Sequence, residues 1–271
     1  MIQISTNPFS RQTRNLLKEM VRTDFKLRYQ NSAIGYLWSL LKPLFLFAIL
    51  YTVFTQILRI GADIPGYPVY LLTGILIWSF FQETTATSVT SIVSKGSLIR
   101  KINIPKYLIV VASALSSLIN LGLSLVVLAL FIAFTANTTV MWSLVLFVPL
   151  LIIQLFILAT SIAFIVSAMY VKFRDISYIW DLLLRAGFYV TPILYPLQIV
   201  PEMVQKLLLL NPAAQIIQDL RRILVLPNDT IQIYDVFSWP MYLVPFVITV
   251  LIAIFAIYYF KKQAIDFAEN V

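Results

Sequence analysis

The chain reads as an all-α integral membrane protein: six transmembrane helices, a basic amphipathic interface helix before the first, and an external re-entrant helical hairpin. Three observations predict this. Apolar runs long enough to cross a bilayer recur along the sequence, beginning with WSLLKPLFLFAILYTVFTQILR at 38–59. The composition is 60% hydrophobic with a mean hydropathy of +0.89, far above the roughly 45–50% apolar usage of soluble domains. Lysines and arginines gather in alternate connections between the runs, the asymmetry that sets orientation in a membrane.

Residues 11–30 place Arg11, Arg14, Lys18, Arg22 and Lys26 on one side of a helix and Leu16, Leu17, Met20 and Leu27 on the other. That pattern predicts a helix lying in the membrane surface with its cations toward the headgroups, and it is also compatible with docking a cytosolic partner. At about 1.5 Å per residue, some twenty residues cover a ~30 Å hydrocarbon core, which predicts crossings at 37–59, 69–93, 107–135, 142–170, 178–198 and 240–260. No short apolar region with a small-residue cleavage site opens the chain, so the first crossing is expected to remain as an uncleaved anchor. The second is the least apolar, because TTATSVTSIVS fills its last half; small hydroxyl side chains bond back to their own helix or across to another, so this face is expected against protein or a wet cavity. The fifth reaches Thr191-Pro192, with Pro196 beyond, only about fourteen residues or ~21 Å after Tyr178, which argues against a straight full span. Residues 202–226 then form two short apolar helices divided by Asn211-Pro212, an N-cap followed by proline at the first helical position. Segments that short fit a hairpin dipping back into the membrane, or an amphipathic surface loop. No repeat or linker marks a second unit, so the expected organisation is one membrane domain: interface segment 1–36, six-helix region 37–260 and tail 261–271.

The cations of residues 1–36, Lys95, Arg100, Lys101 and Lys106 in the 94–106 loop, Lys172, Arg174, Lys261 and Lys262 fall on one side. Opposite them stand Arg59, Lys206, Arg221 and Arg222. The positive-inside rule then puts both termini in the cytoplasm and accounts for the net charge of +8 without nucleic acid. The chain has no Cys and no His, which removes disulfides, thiolate chemistry and the commonest general base and metal ligand.

An unpaired charge at the bilayer centre costs at least ~2.5–3.5 kcal/mol. Asp181 and Arg185 are spaced to neutralise each other along one helix face, and Lys42 is close enough to the inner surface to snorkel. Glu83 has no sequence neighbour of opposite sign and is the strongest candidate for a functional intramembrane carboxylate. The inner loop SKGSLIRKINIPKY at 94–107 has a helix-capable centre mixing basic and apolar side chains, a pattern shared by solvated positive-inside loops and by short helices that seat in a partner's groove. Tyr36, Trp38, Tyr67, Tyr70, Trp142, Tyr195, Trp239 and Tyr242 fall near predicted water boundaries, as an aromatic belt or as pore-lining rings. No phosphate-cradling GxxxxGK[ST] is present, so any ATP and its Mg must be bound by another chain.

Three stretches together resemble permeases of the ABC-2 class that export polysaccharide, O-antigen and teichoic acid: DFKLRYQNSAIGYLWSLLKPL at 24–44, KFRDISYIWDLLLRAGFYVTPILYP at 172–196 and LLLLNPAAQIIQDLRRILV at 207–225. The resemblance implies a subunit that homodimerises and pairs with two copies of a separate nucleotide-binding ABC ATPase. It implies a coupling helix around Lys95, Gly96, Leu98, Arg100, Lys101 and Ile102, with Arg22 and Lys26 of the amphipathic helix as a second ATPase contact. A lipid-linked polymer would pass outward between two permease copies, with Tyr36, Trp38, Glu83 and Tyr195 as channel or substrate candidates. Arg221 and Arg222 are placed for phosphate contact, or Arg222 for pairing with Asp219. On this reading the chain is a transport subunit and not an enzyme. The alternatives are a stand-alone secondary transporter, which would show inverted repeats, and a membrane glycosyltransferase, which would cluster its carboxylates at one water boundary.

Overall fold

The computed structural model describes residues 10–28, 34–60, 64–101, 104–135, 139–225, 230–237, 240–265 and 267. Among them the structure is helical, in the order α1 Arg11–Arg28, α2 Trp38–Thr52, α3 Tyr67–Ser94, α4 Gly96–Lys101, α5 Tyr107–Phe134, α6 Val148–Lys172, α7 Ile176–Val190, α8 Glu202–Leu209, α9 Pro212–Leu224, α10 Ile233–Val236 and α11 Val244–Gln263. Four of the described stretches are long and apolar enough to cross a membrane: Trp38–Ile57, Tyr107–Phe134, Trp142–Lys172 and Val244–Gln263.

The other two expected crossings depart from that type for different reasons. Helix α3 runs for 28 residues, but it is the central helix, packed along α5 and α6 and buried from Tyr67 to Ile92 on most of its surface. Its hydroxyl-rich half faces protein, with Thr84, Thr85, Ser88 and Ser91 all buried. Lipid tails are as apolar as leucine, so helices in a membrane associate through close packing and polar contacts. Small buried residues supply the close approach here: Ala112, Ser113, Ser116 and Ser117 on α5, Ala159, Ser161 and Ala163 on α6. Helix α7 has only 15 residues, roughly 22 Å at the helical rise and short of a full hydrocarbon core. It stops at Val190, just before the Thr191-Pro192 break the sequence marks.

Helix α2 lies at the margin, with only Pro43 and Phe47 buried. It passes into a π-helical turn at Val53–Ile57 and terminates near Arg59, whose φ of 57° is a left-handed conformation that side chains other than glycine rarely adopt. Helices α8 and α9 meet at Asn211, whose side chain accepts from Ala213 N at 3.0 Å, with Pro212 opening α9; both cap residues are those the sequence predicts. Helix α9 is no surface loop. Ala213, Ala214, Ile216, Ile217, Leu220, Arg221 and Ile223 are buried against α3, α6 and α11, and Gln154 of α6 donates to Gln215 at 3.1 Å.

Two apolar clusters stack along the bundle. One spans the starts of α3 and α6, the latter half of α5, the 193–194 turn and α9. The other joins the opposite ends of α3, α5, α6 and α11 to α1, α4 and Phe267. Helix α1 therefore covers its apolar stripe with protein: Met20 is buried and Leu16, Leu17 and Val21 pack beside it, whereas the sequence places that stripe in the membrane surface. Leu27, at the end of the helix, alone of the four stays largely exposed.

Helix α7 packs against α3 and α6 and makes one close approach, in which a Cβ on Gly187 would stand 2.7 Å from the Trp78 ring. Gly187→Ala is expected to destabilise by about 1–3 kcal/mol through overpacking. Gly122→Ala, where no atom lies within 4 Å of the added carbon, is expected to be neutral or slightly stabilising. Thermal unfolding of both variants in one detergent checks the contrast.

Candidate functional site

Two regions carry the polar chemistry, one at each end of the bundle. The first begins at the end of α3. Lys95 follows the last turn of that helix and donates through Nζ to Asp24 Oδ2 on α1 at 2.6 Å. One turn further along α1, Arg28 is ion-paired to Glu83 on α3, and Asn120 of α5 donates to Glu83 Oε1 at 2.7 Å. Thr87 and Ser113 share a 3.0 Å hydrogen bond one turn away. Glu83 is thus no lone intramembrane carboxylate: a cation from α1 and an amide from α5 hold it. Sequence reasoning misses Arg28, Asp24 and Asn120 in these roles because each partner comes from a distant segment, outside the i,i+4 window in which a sequence reveals pairs.

The short helix α4 follows at once. Gly96 and Ile99 are buried and Leu98 is half-buried on the cluster shared with Met20, while Ser97 and Arg100 are exposed. The same end presents Arg22 and Lys26 of α1, both exposed. Lys95, expected among the partner contacts, is instead committed to Asp24. Ile102 and the side chain of Lys101 lie outside the described residues, as does the side chain of Tyr36. Trp38 is 44% exposed at the start of α2. It lies about thirteen residues, roughly 20 Å, along that helix from the ring of Tyr51, and so belongs to this end rather than with Tyr195 and Arg221.

The second region is the break after α7. Ending a helix in an apolar setting strands backbone carbonyls, and each buried orphan costs about 1–3 kcal/mol. Side chains meet the carbonyl of Val190 and four in the turn that follows. Tyr195 donates its hydroxyl to Val190 O at 2.8 Å, Tyr67 to Leu194 O at 2.9 Å and Tyr70 to Tyr195 O at 3.2 Å. Arg221 reaches in from α9: Nη1 donates to Pro192 O at 2.5 Å and Gln218 Oε1 at 3.0 Å, Nη2 to Ile193 O at 2.8 Å, and Nε to Tyr70 O at 3.1 Å. Its guanidinium carbon also lies 3.5 Å from the centre of the Tyr70 ring, a cation–π contact that offsets part of the desolvation of a buried charge.

Arg221 is therefore the clearest departure from the sequence expectation. It is fully buried, with its donors turned to the break, to Tyr70 and to Gln218, so it has no exposed face for a polymer phosphate. Tyr67 and Tyr70 likewise leave the aromatic belt for the interior, stacked 6.0 Å apart. Tyr51 of α2 lies 6.4 Å from Tyr67 and 5.6 Å from Phe47, which makes an aromatic run from α2 to the arginine. Gly74 permits the approach, since a Cβ there would meet Arg221 Nη2 at 2.6 Å. Arg222 is half-buried and lies 4.0 Å from Asp235; it also interacts electrostatically with Asp219, as expected, and Asp219 accepts from Gln215. Asp181 and Arg185 pair at 2.9 Å on an exposed face of α7, as their spacing predicts. On exposed α8, the hydrogen-bonded Lys206 ammonium holds the Glu202 carboxyl below its ordinary range.

Arg221→Gln, which leaves several of these carbonyls bare, is expected to lose at least about 3 kcal/mol. That corresponds to a fall in Tm of about 6 °C or more for a protein of this size. Arg221→Lys is expected to rescue little, because a point ammonium does not span the carbonyls a planar fork reaches. Unfolding followed by loss of monodispersity on heating measures both.

The profile of the ABC-2 type transporter family matches residues 15–225. An O-antigen export system permease protein RfbA of Klebsiella pneumoniae is 29% identical over 255 residues, covering 94% of each chain. The protein of that name from Myxococcus xanthus is 32% identical over 204 residues, 74% of this chain and 76% of its own. The polysialic acid transport protein KpsM of Escherichia coli is 25% identical over 209 residues, 76% of this chain and 79% of its own. A family pattern that runs from within α1 to the end of α9, and so takes in both the α1–α4 end and the broken helix, leaves one assignment: this chain is a member of the ABC-2 type transporter family.

Proposed function

We propose that the chain is the membrane-spanning permease subunit of an ATP-driven exporter that carries lipid-linked polysaccharide outward across the bacterial cytoplasmic membrane. The relatives named for O-antigen export and polysialic acid transport support the substrate class. On this reading both termini are cytoplasmic. The four long apolar helices, together with α3 and the short α7, make six crossings, and α8–α9 form a hairpin that re-enters from outside.

The observation that carries the coupling is the arrangement of α1 and α4. Helix α4 seats Ile99 on the bundle and turns Ser97 and Arg100 outward, beside Arg22 and Lys26 of α1. Lys95–Asp24 and Arg28–Glu83 then tie α1 to α3 and to the junction from which α4 starts. Two copies of a nucleotide-binding ATPase, holding ATP and Mg, would press on this face, and the ion pairs would pass the displacement into the central helix. The polymer path lies between two permease copies. Helix α7 supports that placement: Tyr178, Leu182 and Tyr189 are exposed around the Asp181–Arg185 pair, and charges on a lipid face are costly, so the face suits a second copy and a hydrated path.

Co-purification of the solubilised chain with an ATPase, and polymer export that stops with ATP depletion, test the reading; export by the lone chain without nucleotide would overturn it. Arg100→Glu combined with Lys101→Glu is expected to lower ATPase stimulation by about tenfold with Tm unchanged, from charge reversal at a contact surface. Asp24→Lys and Lys95→Asp are each expected to impair export, and the double exchange to restore it in part. For a partly exposed pair the coupling should be about 1 kcal/mol or less in a double-mutant cycle.

A further inference from the structure

A groove of about 610 Å³ opens between the start of α5 and the ends of α6 and α11, apart from both regions already described. Its walls are apolar, formed by Tyr107, Phe164, Ile257, Phe260 and Ile265, and two lysines, Lys106 and Lys261, line it as well. The size is that of a ligand site and not of a packing flaw. Lys106 is fixed there: its ammonium donates to Ala264 O and lies 5.7 Å from the centre of the Phe267 ring. Lys261 is exposed, in the last turn of α11 where the apolar span gives way to charge. The apolar surface continues out of the groove along α11, where Ile257 and Tyr258 are exposed, and onto Ile265 just beyond the helix.

We infer that this groove binds one anionic glycerophospholipid, an acyl chain along the Phe164–Ile257–Phe260 wall and the phosphate between Lys106 and Lys261. The two halves of the site demand the two halves of such a molecule. An apolar trough continuous with the exposed apolar side of α11 selects a hydrocarbon chain already in the bilayer, and the two lysines that line it select a negative headgroup over a zwitterionic one. A packing helix from another protein would leave those cations facing its apolar side, and a soluble anion would have no use for the trough. The assignment is independent of what the protein transports.

Native mass spectrometry of the full-length chain tests it, after incubation in detergent micelles holding equal phosphatidylglycerol and phosphatidylcholine. One phosphatidylglycerol per chain should be retained, at least fivefold over phosphatidylcholine. Lys261→Gln should reduce that retention about fivefold, the contribution of one surface lysine toward an anionic lipid. Ile257→Trp, which fills the trough, should reduce retention of either lipid, while Lys18→Gln on α1 should leave it unchanged. Lys261 is exposed and its replacement leaves the core intact, which an unaltered Tm verifies. Equal retention of the two lipids, or wild-type retention in both groove variants, would overturn the inference. So would preferential displacement of phosphatidylglycerol by an equal concentration of polyisoprenyl phosphate, which would assign the groove to a substrate carrier.

Discussion

Arg221 sits where a membrane helix has been cut short. A break at Thr191-Pro192 leaves carbonyls that water would satisfy at a surface but that an apolar interior does not. The guanidinium fork supplies donors to Pro192, Ile193 and Tyr70 at once, and the hydroxyls of Tyr67, Tyr70 and Tyr195 take the remaining positions. Everything at this end of the bundle is arranged around that requirement. Helix α9 must be buried to deliver the arginine, position 74 must lack a side chain to admit it, and α3 must begin with two tyrosines one turn apart.

The opposite end solves a different problem with the same means. An amphipathic helix has to be held against a bundle whose helices are mostly apolar, and apolar packing alone leaves its rotation about the bundle poorly fixed. Asp24–Lys95 and Arg28–Glu83 set that rotation with two ion pairs on one face of α1, the second reinforced by Asn120. Partly buried pairs of this kind add little to stability in net terms, yet they specify register. The outward cations of α1 and α4 are thereby presented from a fixed geometry.

Much of this architecture can be read locally in the sequence. The Asn211-Pro212 cap, the stop before Pro192, the Asp181–Arg185 pair and the protein-facing hydroxyls of α3 all depend on residues within a turn or two of each other. What escapes is long-range. Arg221 looks like a surface cation beside Arg222 because nothing within ten residues reveals the carbonyls of Pro192 and Ile193. Glu83 looks unpartnered because its cation lies on a helix before the first crossing. The count of crossings is obscured for a related reason: composition measures exposure to lipid, and α3 avoids lipid by being central while α7 avoids a full span by ending early.

The aromatic run through Phe47, Tyr51, Tyr67 and Tyr70 has one more mechanical implication. Helix α2 has only Pro43 and Phe47 buried, so this stack, with Phe47 also set edge-on 5.6 Å from Phe131, is what moors the half of the helix that ends at Thr52. The far end of that run of rings rests on the arginine that holds the broken helix, so the seating of a marginal helix and the repair of an interrupted one share a single chain of contacts.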